Sequence, residues 1–139
     1  MQITAISFFA GVYQRIIAAI LTVLFLLVPA KPDNVKLTVL SADKNAVTFE
    51  YKNETGKKIA TERRFIIEKQ TENGFEQLEF SDSACFPEIY SELLPGKSAS
   101  YMVNISEYFS CPLESGVYRI VFFYSCSGER SASAEFSVE

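Results

Sequence analysis

From residue 35 onward the apolar positions fall on every second residue. Val35, Leu37 and Val39 alternate with polar neighbours, and Val47, Phe49 and Tyr51 repeat the pattern after the stretch Ser41-Ala42-Asp43-Lys44-Asn45. Successive side chains of a strand point to opposite faces, so alternation bounded by turn residues predicts half-buried strands. Asn53-Glu54-Thr55-Gly56-Lys57 interrupts the pattern. ERRFIIEKQ (62–70) reads as the next strand and FEQLEF (75–80) as its return. Asn73-Gly74 between them is a strong hairpin signal, because both residue types tolerate positive φ. Residues 81–96 form a long irregular connection, with a short edge strand around 88–92, and end in the turn Leu94-Pro95-Gly96. Tyr101, Val103 and Ile105 alternate again. After a second connection over 106–116, VYRIVFFYS (117–125) is the most apolar run of this part and is expected to be the central strand. Ser127-Gly128-Glu129 makes a turn, and Ala134, Phe136 and Val138 mark the last strand.

The first thirty residues follow a different rule. They hold one charge, Arg15, and the thirteen residues Ile16–Val28 (IIAAILTVLFLLV) are apolar or nearly so. Thirteen helical residues reach about 20 Å, short of a hydrocarbon core of about 30 Å. With small residues at Val28-Pro29-Ala30, the pattern fits a secretory signal. The apolar stretch before Arg15 also allows residues 3–30 to be a retained anchor, with Gln14 and Arg15 tolerated. A buried helix of a soluble domain is the third reading, and it lacks a polar stripe. The chain therefore divides into a signal or anchor (1–30), a linker (31–34) and a domain (35–139), and the first two readings put the domain outside the cytoplasm, secreted or membrane-anchored.

About seven short alternating strands in about a hundred residues, with no helical period among them, predict an all-β fold. The expected architecture is an immunoglobulin-like sandwich of antiparallel strands, preceded by an N-terminal hydrophobic helix. Leu113, Gly116 and Tyr118 stand just before the central strand. In such sandwiches a tyrosine there closes a corner by bonding back to nearby backbone; the alternative is an ordinary half-buried strand aromatic. Twelve Phe and seven Tyr provide the apolar area for one core of this size.

The order of segments, including FIIEKQTENGFEQL, LLPGKSASYMVNISEYF and LESGVYRIVFFY, resembles a bacterial immunoglobulin-like domain family found in secreted and surface proteins of Gram-positive bacteria. The resemblance spans residues 35–138. Its most specific parts are Leu94-Pro95-Gly96 with Ser98, and Gly116-Val117-Tyr118-Arg119-Ile120. It implies fold and location and transfers no catalytic residue. The sequence departs from that family at Phe75, where Trp is frequent, and in carrying three cysteines.

The chain has no histidine, which removes the commonest general base and most zinc sites. The net charge is −4 and the basic residues are scattered along the sequence, which argues against a nucleic-acid partner. Lys57-Lys58 and Arg63-Arg64 read as solvated faces. Pro95-Gly96-Lys97-Ser98 mimics the end of a phosphate loop but lacks the earlier glycine and precedes a strand. Ser41-Ala42-Asp43-Lys44 has the S-x-x-K spacing but sits in a turn, where Lys is not brought beneath Ser. Asp82, Glu88 and Glu92 match no calcium-loop spacing. Asn53-Glu54-Thr55 and Asn104-Ile105-Ser106 are formal glycosylation sequons. Strand directions place Cys85 and Cys126 at one end of the sandwich, so that pair ranks first for a disulfide, with no disulfide as the alternative. Cys111 lies across a strand of about 30 Å from Cys126.

These features predict a non-catalytic binding or scaffolding module without a cofactor or metal. Its partner is expected to be a protein or glycan of the cell envelope, with the membrane itself a partner if the N-terminal segment is uncleaved. The alternative is a membrane-anchored regulator or inhibitor of an envelope protein, and an enzyme is the class with least support. Contacts are expected in loops at the sandwich ends, from Phe86, Tyr90 and Leu93 in one connection and Tyr108 and Phe109 in the other. For the first three, packing over the core edge is the competing reading.

Overall fold

The structure, a computed structural model, describes residues 34–139. The expectations for the signal or anchor segment lie outside the described residues. In chain order the elements are β1 (Val35–Ala42), β2 (Ala46–Asn53), β3 (Ile59–Thr61), β4 (Phe65–Thr71), β5 (Gly74–Gln77), β6 (Ser91–Leu93), β7 (Ser98–Asn104), the single turn α1 (Ile105–Tyr108), β8 (Gly116–Ser125) and β9 (Glu129–Val138).

They form two antiparallel sheets. The smaller has the order β1-β2-β7. In the larger, β8 is central. β9 runs along one edge of β8 for its whole length, with Gly116 opposite Val138 and Ser125 opposite Glu129. The other edge of β8 is taken by β3 and β4 end to end: Ala60 faces Ser125, and Phe65 to Lys69 face Phe122 to Tyr118. β3 and β4 are thus halves of one strand, broken at Glu62–Arg64. Arg63 there has φ 57, a left-handed conformation that ends the pleat. The Phe123 N–H still donates to the Arg64 carbonyl at 3.0 Å across the break. β5 extends the sheet from β4 and β6 from β3. With the broken strand counted once and three-residue β6 set aside, the strands are the seven that the alternation predicted.

The alternation decides the packing. Val47, Phe49 and Tyr51 of β2 are buried, as are Phe65 and Ile67 of β4 and Tyr118, Ile120, Phe122 and Tyr124 of β8. Phe49, Tyr51 and Phe122 meet between the sheets, Tyr51 and Phe122 with ring centroids 4.7 Å apart. The intervening residues of β8, Val117 to Phe123, lie on the outer face of the larger sheet. Phe75 also lies on that face, under the Arg119 guanidinium at 4.3 Å, instead of in the core.

Two turns show how local chemistry sets register. In the β4–β5 hairpin only Gly74 has positive φ (110), and Asn73 does not. The glycine alone supplies the positive-φ residue of this turn, and Asn73, expected to share it, does not. In Leu94-Pro95-Gly96-Lys97 the Lys97 N–H donates to the Leu94 carbonyl at 3.1 Å, with Gly96 at φ 77. Proline at the second and glycine at the third position are the residues a type II turn requires.

Candidate functional site

The two connections expected to carry contacts separate into buried and exposed parts. The segment after β5 turns inward. Phe80 and Phe86 pack edge to face at 5.1 Å, and both meet Phe65. Tyr108 packs on Phe65 at 4.9 Å, and Phe109 stacks on Phe80 at 5.2 Å. Tyr108 and Phe109 are buried, and Phe86 and Leu93 are partly buried against the core. Four of the five loop candidates therefore serve packing, because each aromatic of one connection finds its apolar partner in the other. The Ser81 N–H bonds the Tyr108 carbonyl at 2.8 Å and ties the two connections together.

Tyr90 is the candidate left outside, 65% exposed, with Ile89 beside it at 42%. It precedes the edge strand β6 and stands over a groove of about 170 Å³ lined by Thr61, Arg64, Phe123 and Glu129 among others. A second groove of about 190 Å³, lined by Phe65, Ile66, Phe80 and Phe86, shares Arg64, Phe123 and Glu129 with the first. Arg64 lies over the Phe123 ring at 5.7 Å and is paired with Glu129 at 3.2 Å. The break between β3 and β4 brings Arg64 to this position. The combination is an apolar track beside the β3–β4 break, crossed by the exposed Arg64 with its partners Glu129 and Glu62 (3.8 Å) and flanked by an exposed tyrosine. Nothing in the sequence links Arg64, Tyr90, Phe123 and Glu129, which come from four separate segments.

A third cleft, of about 560 Å³, lies between residues 78–82 and 109–114. Glu114 there accepts from Lys69 at 2.6 Å, which holds the carboxyl below its ordinary value and the ammonium above its own. Beside it the Tyr118 hydroxyl donates to the Glu114 carbonyl at 2.8 Å, the backbone contact that closes a corner before β8. Leu113 is buried below, with its N–H on the Lys44 carbonyl, and Gly116 takes φ 155 as the strand begins. Nearby, the Tyr101 hydroxyl is pushed well above its usual range, first by burial and then by its 3.0 Å hydrogen bond with Tyr108.

The Cys85–Cys126 disulfide is not formed. β5 and β8 do run in the same direction, but the chain after β5 folds Phe80 and Phe86 inward and leaves Cys85 facing solvent, while Cys126 is buried. Cys111 is exposed and also free. The sequon at Asn53 is closed to modification, because its side chain is fully buried in hydrogen bonds. Among the described residues no three acidic or cysteine side chains come together to hold a metal ion, and no helix is long and apolar enough to cross a membrane.

Two facing sheets, a cross-sheet aromatic core, and the connection closed by Tyr118 define an immunoglobulin-like domain. A family model described as Bacterial Ig-like domain matches residues 34–137, and the chain belongs to that family. No curated protein matches it. Among solved structures it is similar to the archaellum periplasmic stator protein complex FlaF and FlaG from Sulfolobus acidocaldarius, at 16% identity and a TM-score of 0.51 over 79% of this chain and 94% of that one. A second structure, the archaellum periplasmic stator protein FlaG from the same organism, matches at 16% identity and a TM-score of 0.46 over 74% of this chain and 100% of that one. At this identity the likeness is one of fold.

Proposed function

We propose that the domain is a non-catalytic, extracytoplasmic binding or scaffolding module whose partner is a protein of the cell envelope. The observation that carries this is the exposed Tyr90 beside an apolar track crossed by Arg64 and Glu129. Tyrosine and arginine are the residue types that dominate protein interfaces, because each combines a large contact area with a polar end. The track offers apolar floor and an ion pair that a partner's own charges can exchange with. No histidine is present to act as a general base. One solved structure of similar fold is a complex of two stator proteins, so a protein partner is in keeping with this fold.

The test is site-specific photo-crosslinking in the native envelope, with a photoreactive phenylalanine analogue in place of Tyr90 and, as control, in place of exposed Ser133. A discrete protein adduct from position 90 and none from position 133 supports the proposal. Equal, diffuse labelling from both positions overturns it. The second reading is a membrane-anchored regulator or inhibitor of an envelope protein, favoured by the apolar run Ile16–Val28. It requires full-length protein in the membrane fraction, and a soluble species beginning near Lys31 removes it.

A further inference from the structure

The net charge of −4 hides a separation of charge between the two ends of the sandwich. Asn53 is the organising residue. Val35 is its register partner in β1, which sets Lys36 opposite Lys52. The Asn53 N–H donates to the Lys97 carbonyl at 2.9 Å, and its side-chain amide donates to the Lys57 carbonyl at 2.8 Å. Lys36, Lys52, Lys57 and Lys97, up to 61 residues apart in sequence (97 − 36), are thereby gathered at one end, with Lys58 beside them. All five are exposed. Two carboxylates answer them: Glu54 pairs with Lys52 at 3.7 Å and Glu92 with Lys58 at 2.7 Å. Lys36, Lys57 and Lys97 have no acidic partner among the described residues. Leu94, 58% exposed, stands in the turn whose Gly96 N–H is held by the Asn53 carbonyl at 2.7 Å. The opposite end, about 25 Å away along β1, carries Asp43, Glu79, Asp82, Glu107 and Glu114 against Lys44 and Lys69.

The chain also enters the domain at the lysine end. The Asn34 carbonyl accepts from the Glu54 N–H at 3.1 Å. In the sequence only Lys31-Pro32-Asp33 separate Asn34 from the apolar segment 3–30. We infer that this lysine end, with Leu94 at its tip, is a docking face for an anionic lipid bilayer. Lysines close to such a surface are attracted to its headgroups within a screening length, and an exposed leucine between them enters the headgroup boundary. The acidic end then points away from the same surface, so the bilayer orients the domain. The inference rests on the proposed extracytoplasmic placement and adds to it a lipid partner and an orientation.

The full chain is mixed with vesicles of phosphatidylcholine alone, or of phosphatidylcholine with phosphatidylglycerol, and floated. The bound protein is then acetylated briefly, and each lysine is read by mass spectrometry. With anionic vesicles Lys36, Lys57 and Lys97 are expected to react several-fold more slowly than with zwitterionic ones, while Lys44 is unchanged. High salt, which shortens the screening length to about 3 Å at 1 M, is expected to restore the rates. Flotation with both vesicle types but equal rates, or slowing of Lys44 as much as of Lys57, overturns the docking face and leaves the anchored placement standing. Flotation with anionic vesicles alone supports the docking face while removing the anchor. No flotation with either overturns both.

Discussion

Asn53 ties its own turn to the segment around Leu93 with one side chain. Its side chain donates to the carbonyls of Lys57 and Leu93 and accepts from the N–H and hydroxyl of Thr55, all inside the protein. A buried polar group left without its partner costs about 1–3 kcal/mol. Asn53→Ala strands two carbonyls and the Thr55 N–H together, so a loss of roughly 3 kcal/mol is expected in urea unfolding. Tyr118→Phe removes a single bond to the Glu114 carbonyl and keeps the ring stacked on Phe136 at 5.5 Å. Its expected cost is about 1 kcal/mol, measured in the same way. The cysteines respond to burial alone: Cys85 and Cys111 are exposed and Cys126 is buried. A thiol reagent is expected to modify two sites quickly in the native protein and the third only on unfolding. A native titre of one fast thiol would instead mean that Cys85 is bonded.

Among the elements, the turns carry the most specific local chemistry. Gly96 sits at φ 77, a conformation that side chains with a Cβ seldom adopt, and a Cβ there would meet no atom within 4 Å. Gly96→Ala is therefore expected to cost about 1 kcal/mol from backbone strain and not from a clash, read as a lower thermal midpoint with unchanged near-ultraviolet dichroism. The strand next to β8 shows the opposite case. The run 62–70 reads as one strand, yet its first three residues form a break at the left-handed Arg63, which separates β4 from a short β3 before the run, and Arg64 lies over Phe123. Arginine has no local preference for positive φ, so the break leaves no mark in the sequence. One support is local, the Thr61 hydroxyl accepting from the Arg63 N–H at 3.0 Å, and one is distant, the Tyr101 ring under the Arg63 guanidinium at 5.4 Å.

Across the whole molecule, stability is expected to be bounded in pH on both sides. Asp43 is held below its ordinary 3.8 by the N–H groups of Asn45 and Ala46, and Glu114 below its ordinary 4.5 by Lys69. A lowered folded pKa gives stability that is present above the ordinary value and lost as pH falls through the folded one, so the thermal midpoint is expected to drop below about pH 4. Tyr101 works in the other direction. Its folded pKa is raised above the ordinary 10.0, so its contribution is full below pH 10.0 and is lost as the pH rises beyond it. A thermal scan from pH 3 to 11 is expected to show a plateau between these limits. Asp43→Ala is expected to flatten the acid limb and leave the alkaline one unchanged.

The sandwich is legible in the sequence, because alternation is a property of neighbouring residues and each buried set (Val47, Phe49 and Tyr51; Tyr118, Ile120 and Phe122) falls on every second position of one run. So are the Leu94–Lys97 turn and the position of Tyr118, whose chemistry is local. Which loop aromatics face inward is set by contacts distant in sequence, since Tyr108 and Phe109 are buried and Phe86 partly buried by partners from the other connection, and Tyr90 is exposed for want of one. The same holds for charge. Lysines that lie scattered along the chain form one surface because Asn53 draws three segments together, and a distance in space of that kind has no counterpart in the spacing of residues.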